Sequence, residues 1–118
     1  MRNFKNYRIW QDSMELVKLI FRLAKDLPDN EKYGLRSQIT RAAVSIPSNI
    51  AEGSSRNSDK EFKRFVEIAI GSSFELETQL IIIKELKYAD ETKIDHAIEE
   101  IHKIQKQTNL FIQKLAAG

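Results

Sequence analysis

The chain has 118 residues, a formal net charge of +2 and a hydrophobic fraction of 42%, which suits one domain with a single core. It has no cysteine, so disulfides and thiolate metal sites are excluded and a reducing compartment is expected. The longest aliphatic run, residues 80–83, is far too short to cross a bilayer, and no apolar segment of a secretory signal follows the N-terminus. We therefore predict a single domain over residues 1–118 that resides in the cytoplasm and does not enter a membrane.

The first predicted helix covers residues 9–27. Its polar side chains recur at alternating spacings of four and three residues, and most of the opposite half is apolar, from Trp10 through Phe21 to Leu27. An apolar face this wide predicts contact with more than one neighbouring helix. Pro28 then ends the helix, because proline lacks the backbone donor that the next turn needs.

The second predicted helix covers residues 31–54. Its inward side chains are Leu35, Ile39, Ala42, Ala43, Ile46 and Ile50. Pro47 lies within this span, removes a backbone donor, and is expected to interrupt the helix with a kink. Gly53 and the polar residues after it predict a turn.

The third and fourth predicted helices cover residues 58–87 and 91–116. Ser58 and Glu61 fit the S-x-x-E capping box at the start of the third helix. The fourth helix starts after Asp90 or Thr92, with acidic residues early and lysines late, which suits the helix dipole. Four long helices with short connections predict an all-α fold, an antiparallel up-down four-helix bundle.

The third helix carries a second apolar stripe away from its core face, formed by Ile70, Phe74 and Ile81. This stripe is ordinary scatter of apolar surface residues, a contact with a curved neighbouring helix, or a subunit interface. The wide apolar face of the first helix favours the interface, so we predict a homo-oligomer. Gly71 in the middle of the third helix costs roughly 1 kcal/mol relative to alanine, so close helix packing or a kink is expected there.

A polar stripe runs beside the core positions of the second helix and faces polar residues of the third. Its members are Gln38, Arg41, Ser45, Asn49 and Glu52, with Glu75 on the third helix. One interpretation is a hydrogen-bonded network that sets helix register, in which Arg41 bridges to a carboxylate such as Glu75. The other is a ligand or nucleic-acid pocket. The network is favoured, because buried polar groups normally satisfy one another.

No catalytic or metal-binding constellation is complete in the sequence. A di-metal bundle needs two Glu-x-x-His pairs, and the chain has only Glu99 with His102, of which Glu99 is predicted to face outward. The serines occupy caps, turns and helix faces, and the glycines form no phosphate-binding loop. We therefore predict no catalytic residue, no metal and no cofactor.

Basic residues make nucleic-acid binding the main functional hypothesis, although no recognition motif accompanies them. The local net charge of residues 1–25 is +4. The candidate phosphate-binding residues are Lys18, Arg22, Lys25, Arg36, Arg56, Lys60, Lys63 and Arg64. The plain alternative is a set of solvated helix faces. One protomer would bind weakly, but an oligomer would multiply the contact.

A set of short motifs extends over nearly the whole chain. They are Trp10-Gln11, Leu27-Pro28 with Glu31, residues 33–39, Arg41-Ala42-Ala43, Ser45-Ile46, Asn49-Ile50-Ala51-Glu52-Gly53, Ile68-Ala69, Gly71-Ser72 and Glu75-Leu76-Glu77. This set resembles the bacterial four-helix-bundle family named after open reading frames in intervening sequences of 23S ribosomal RNA genes. The name describes a gene location and does not imply a ribosomal component.

The resemblance implies assembly into rings, typically pentamers. It also implies kinship with the accessory variability determinant of diversity-generating retroelements, a basic pentameric barrel that binds nucleic acid and a reverse transcriptase. The polar stripe of the second helix matches the family's polar pattern, which carries no established catalytic role.

The sequence therefore predicts a non-enzymatic, homo-oligomeric helical bundle that binds structured RNA, DNA or a nucleic-acid enzyme through a basic surface. The alternative is a protein–protein interaction scaffold without nucleic-acid binding. A metal-dependent enzyme is a remote third possibility.

Overall fold

The computed structural model describes residues 2–118 and contains four long helices. They are α1 (Arg8–Ala24), α2 (Leu35–Ser54), α3 (Asp59–Glu85) and α4 (Glu91–Ala117). Short 3₁₀ segments, Phe4–Asn6 and Asp29–Glu31, precede α1 and α2. Each helix packs against the next and α4 returns to α1, whereas α1 and α3, all of whose residues are described, have no Cα atoms within 8 Å of each other. The predicted all-α four-helix bundle is confirmed, with α1 and α3 at opposite corners.

Contacts between sequence-distant residues show that the helices alternate in direction. At one end, Lys93 Nζ at the start of α4 donates to Asp26 Oδ2 just beyond α1, at 3.1 Å. We call this the upper end, and it holds the α1–α2 and α3–α4 connections. At the other, lower end, Arg2 Nη2 lies 2.6 Å from Asp59 Oδ1 at the start of α3. The bundle is therefore antiparallel and up-down.

The core is aliphatic along most of its length and aromatic at the lower end. Fully buried side chains from all four helices include Leu16, Ile20, Ile39, Ile46, Ile50, Leu76, Leu80, Ile83, Ile94 and Ile101. At the lower end the rings of Tyr7, Phe62 and Phe111 meet pairwise, with centroids 5.2–5.7 Å apart. Each fully buried side chain of this size stabilises the fold by about 1.5–3 kcal/mol relative to exposure.

Two predicted boundaries in the upper connection were wrong. Helix α1 ends at Ala24, although Leu27 is still buried in the core. Helix α2 starts at Leu35, because the chain first forms the Asp29–Glu31 turn, and Glu31 Oε1 then accepts a hydrogen bond from the Leu35 amide at 3.1 Å. That carboxylate replaces the N-cap that Gly34 has no side chain to supply.

Pro47 does not interrupt α2, contrary to the prediction. The helix runs without a break from Leu35 to Ser54, and Pro47 is buried within it. Its neighbours Ile46 and Ile50 are fully buried as well. Tertiary packing along this stretch offsets the lost backbone hydrogen bond, since most helix stability in proteins comes from packing of the apolar face.

The local start signals of α3 and α4 are confirmed. Ser58 Oγ accepts a hydrogen bond from the Glu61 amide at 3.2 Å, and Asp90 Oδ1 accepts one from the Thr92 amide at 3.0 Å. Both residues have the extended backbone of an N-cap. These caps depend on neighbouring residues alone, which is why sequence reasoning located them.

Gly53 lies where α2 packs closely against α3. A Cβ at this position would lie 2.6 Å from Phe65 Cβ and 2.9 Å from Phe62 Cδ1. We expect Gly53→Ala to lower the free energy of unfolding by about 1–3 kcal/mol, because the two helices would have to separate. Urea denaturation measures this, with the exposed Asn57→Ala as the control. Equal stability of Gly53→Ala and wild type would contradict the packing.

Candidate functional site

Part of the predicted polar stripe forms a network between α2 and α3. Ser45 Oγ and Ser72 Oγ, on facing helices, lie 2.8 Å apart. Asn49 Nδ2 donates to the Ser45 carbonyl at 2.8 Å and to Ser45 Oγ at 3.0 Å. All three side chains are partly buried. This arrangement supports the interpretation of the stripe as a network that sets helix register.

The charged members of the stripe stay outside that network. Arg41 Nη2 contacts Ser37 Oγ on its own helix at 3.4 Å, and Glu52 pairs with Arg56, one turn away, at 3.0 Å. Within residues 2–118 no ion pair joins Arg41 to Glu75, so that predicted bridge was wrong. Both side chains are exposed, and an ion pair in water gains too little to order two long side chains.

Gln38 is exposed on the same face of α2. Glu75, on α3, accepts a long hydrogen bond from Gln79 Nε2, at 3.4 Å. The Asn49 amide nitrogen is already engaged by Ser45, which favours the network over a ligand or nucleic-acid pocket on this stripe.

The apolar stripe of α3 lies on the outside of the bundle. Phe74 is 51% exposed and Ile81 is 42% exposed, while Ile70 is half-buried. Sequence reasoning missed a second row on the α2 side of the same face, Ile68 and Ile82, both exposed. Their spacing of fourteen residues, four helical turns, was the available signal. We call this surface the outer face of α3.

Gly71 lies in the middle of the outer face of α3. A Cβ at Gly71 would meet nothing within 4 Å. The close packing expected there is therefore not provided by any described residue of this chain.

The structure divides the eight predicted basic residues between the two ends of the bundle. Lys18, Arg22, Lys25 and Arg36 lie towards the upper end, on α1 and the start of α2, whereas Arg56, Lys60, Lys63 and Arg64 lie at the lower end, around the start of α3. They form two separate surfaces. The division follows from the antiparallel order of the helices, which the sequence predicted.

Three of these eight residues form ion pairs with neighbours, and Arg22 Nε donates to the Lys18 carbonyl at 3.3 Å. Lys18 pairs with Glu15 at 2.8 Å, and Arg36 Nη2 donates to the Leu27 carbonyl at 2.7 Å, which ties α2 to the end of α1. Arg56 pairs with Glu52 and lies over the ring of Phe65. The other five residues form no ion pair within residues 2–118: Arg22, Lys25, Lys60, Lys63 and Arg64.

His102 and the buried serines are engaged by hydrogen bonds. His102 Nε2 lies 2.9 Å from Glu77 Oε2, and Gln105 Nε2 donates to Glu77 Oε1 at 2.9 Å. Buried serines such as Ser73 donate to carbonyls of their own helix. In the part of the chain that the structure describes, no three His, Asp or Glu side chains converge in a way that could hold a metal ion. Nor is any described helix both long and apolar enough to span a membrane.

These features define a four-helix bundle with a polar seam between α2 and α3, an exposed apolar face on α3 and two basic ends. Residues 5–110 match the model of the family described as 23S rRNA-intervening sequence protein. The chain therefore belongs to that family, as the sequence motifs suggested.

A solved structure has the same fold. It is a protein with unknown function from the S23 ribosomal protein family of Bacteroides thetaiotaomicron VPI-5482. It is similar to this chain with a TM-score of 0.82 and 25% sequence identity, covering 88% of this chain and 97% of that chain. No curated protein matches the chain.

The Glu77 carboxylate joins α3 to α4, and its protonation should weaken the fold. Partial burial tends to raise the pKa of Glu77, but the hydrogen bonds from His102 and Gln105 outweigh it and lower the pKa below the ordinary 4.5. The stabilisation is therefore present above pH 4.5 and is lost as the pH falls through the lowered pKa. We expect the melting temperature of wild type to fall more steeply below pH 4.5 than that of Glu77→Gln.

Thermal melts followed by circular dichroism across this pH range measure the difference. Glu99→Gln is the matched control, because Glu99 is exposed on α4 and has no hydrogen-bond partner within residues 2–118. Parallel pH profiles for wild type and Glu77→Gln would show that the contact with His102 contributes nothing.

Proposed function

We propose that this chain is a non-catalytic subunit that assembles with copies of itself through the outer face of α3 and binds nucleic acid through basic residues at its upper end. The main support for the proposal comes from the outer face of α3. Four large apolar side chains stay exposed there, around a glycine with open space. By family resemblance the assembly is a ring of five copies, working in the cytoplasm.

Gly71 supports close contact with a second copy. A glycine inside a helix costs roughly 1 kcal/mol relative to alanine, and nothing within the described chain approaches it closely. Because glycine has no side chain, a helix of a second copy that crosses at this position can pack closely against α3. Phe74 and Ile68 on either side would then be removed from water.

The upper end supports contact with phosphates. Arg22 and Lys25 are exposed and form no ion pair within residues 2–118, so their charge is available to an anion. They lie on α1, at the corner opposite α3. Assembly through α3 therefore leaves them free, and each added copy multiplies the phosphate contacts.

Phe74→Glu should shift the protein towards the monomer, because a carboxylate in an apolar interface would be desolvated without a partner. Gly71→Ala should act in the same direction while leaving the single chain as stable as before or more so. Light scattering coupled to gel filtration at micromolar concentration measures the mass. Leu110→Glu is the control, since Leu110 is exposed to a similar degree on α4. A monomeric wild type would overturn the assembly.

Nucleic-acid binding is tested by titrating a structured RNA hairpin and a duplex DNA across a salt series. We expect affinity to fall steeply with salt, and Arg22→Glu combined with Lys25→Glu to weaken it by about tenfold or more. Lys106→Glu combined with Lys114→Glu changes the net charge equally on α4 and should have a smaller effect. No binding at low salt would refute this function and favour the protein-interaction scaffold.

A further inference from the structure

A cleft of about 450 Å³ lies at the upper end, between the end of α1 and the start of α2. It exists because α1 stops at Ala24 and the chain crosses to Leu35 through the Asp29–Glu31 turn. Its lining consists of Phe21, Ala24, Lys25, Lys32, Tyr33, Arg36, Ser37 and Thr40.

Two aromatic rings in this cleft are open to solvent. Phe21, which the sequence analysis placed on the wide apolar face of α1, is 45% exposed, and Tyr33 is 89% exposed. Lys32 Nζ lies 5.5 Å from the centroid of the Tyr33 ring. Aromatic rings that no core residue covers can receive the face of an unpaired base, and a nearby cation suits the phosphate beside that base.

The charge of the cleft is strongly one-sided. Its lining contains three cations and no acid. Of the three acids of the surrounding connection, Asp26 pairs with Lys93 and Glu31 accepts from the Leu35 amide. Asp29 lies 3.8 Å from Arg36, one of the cleft's own cations. Lys25 and Lys32 are thus left without an ion pair within residues 2–118, so the cleft is complementary to an anion.

We propose that this cleft binds single-stranded nucleic acid, with unpaired bases stacked on Phe21 and Tyr33 and the adjoining phosphates held by Lys25 and Lys32. The proposal rests on the proposed nucleic-acid function and specifies the form that is recognised. A duplex hides the faces of its bases, so the rings select single strands or the loops of a structured RNA.

The test compares two labelled strands of about 12 nucleotides by fluorescence anisotropy. One is oligouridine and the other is an abasic strand of the same length and charge, and the protein is the full chain in its native assembly. We expect oligouridine to bind at least about tenfold more tightly than the abasic strand. The affinity for oligothymidine, measured in the same way, shows whether the cleft prefers RNA or DNA.

Substitutions of the two rings then test whether the rings cause the difference in affinity between oligouridine and the abasic strand. Tyr33→Ala and Phe21→Leu should each reduce oligouridine affinity about tenfold and leave abasic affinity unchanged, whereas Tyr33→Phe should behave as wild type. Both rings are exposed, so melting temperature and assembly mass should stay the same and exclude a folding defect.

The outcomes separate the two proposals. Equal binding of oligouridine and the abasic strand would overturn the proposal that bases stack in the cleft. Full oligouridine affinity in both ring variants would overturn it as well. Salt-sensitive binding of the hairpin would still support the broader nucleic-acid function in either case. Absence of binding to every strand, the hairpin and the duplex would overturn both.

Discussion

The close packing of α2 on α3 is the constraint on which the rest of the structure depends. At the lower end Gly53 admits Phe62 and Phe65 to the backbone of α2. Further along, Ser45 and Ser72 meet across the same seam at 2.8 Å. One contact limits the distance between the helices and the other limits their register. Together they decide which residues of α3 face inward, and therefore which apolar residues remain outside.

The diagonal arrangement of α1 and α3 separates the two surfaces assigned a role. The outer face of α3 exposes large apolar side chains beside Gly71, whereas the cleft beside α1 combines exposed rings with cations. Because α1 and α3 lie at opposite corners of the bundle, contact with a second copy at one corner leaves the other corner accessible. A subunit built in this way can assemble and bind a ligand at the same time.

Local pairing of charges matters more here than the net charge of +2. Lys93 neutralises Asp26 across the bundle, and Arg36 approaches Asp29 while it holds the Leu27 carbonyl. The acids of the upper connection therefore form contacts that hold the ends of the helices together. Lys25 and Lys32 therefore keep an uncompensated charge on a chain that is almost neutral.

The sequence by itself determined the number of helices, the caps at Ser58 and Asp90, and the core positions of α2 such as Ile39 and Ile50. These features depend on helical periodicity and on hydrogen bonds between close neighbours in the chain, which a single sequence displays. The sequence also predicted the family, because the family's motifs are short stretches of adjacent residues.

Only the tertiary structure decided how distant residues meet. It kept α2 continuous through Pro47 and left Arg41 and Glu75 apart. It also brought Phe21 and Tyr33 into one cleft. In each case the outcome depends on how helices pack and where their connections cross, and the free energy of those contacts is shared among residues far apart in the chain.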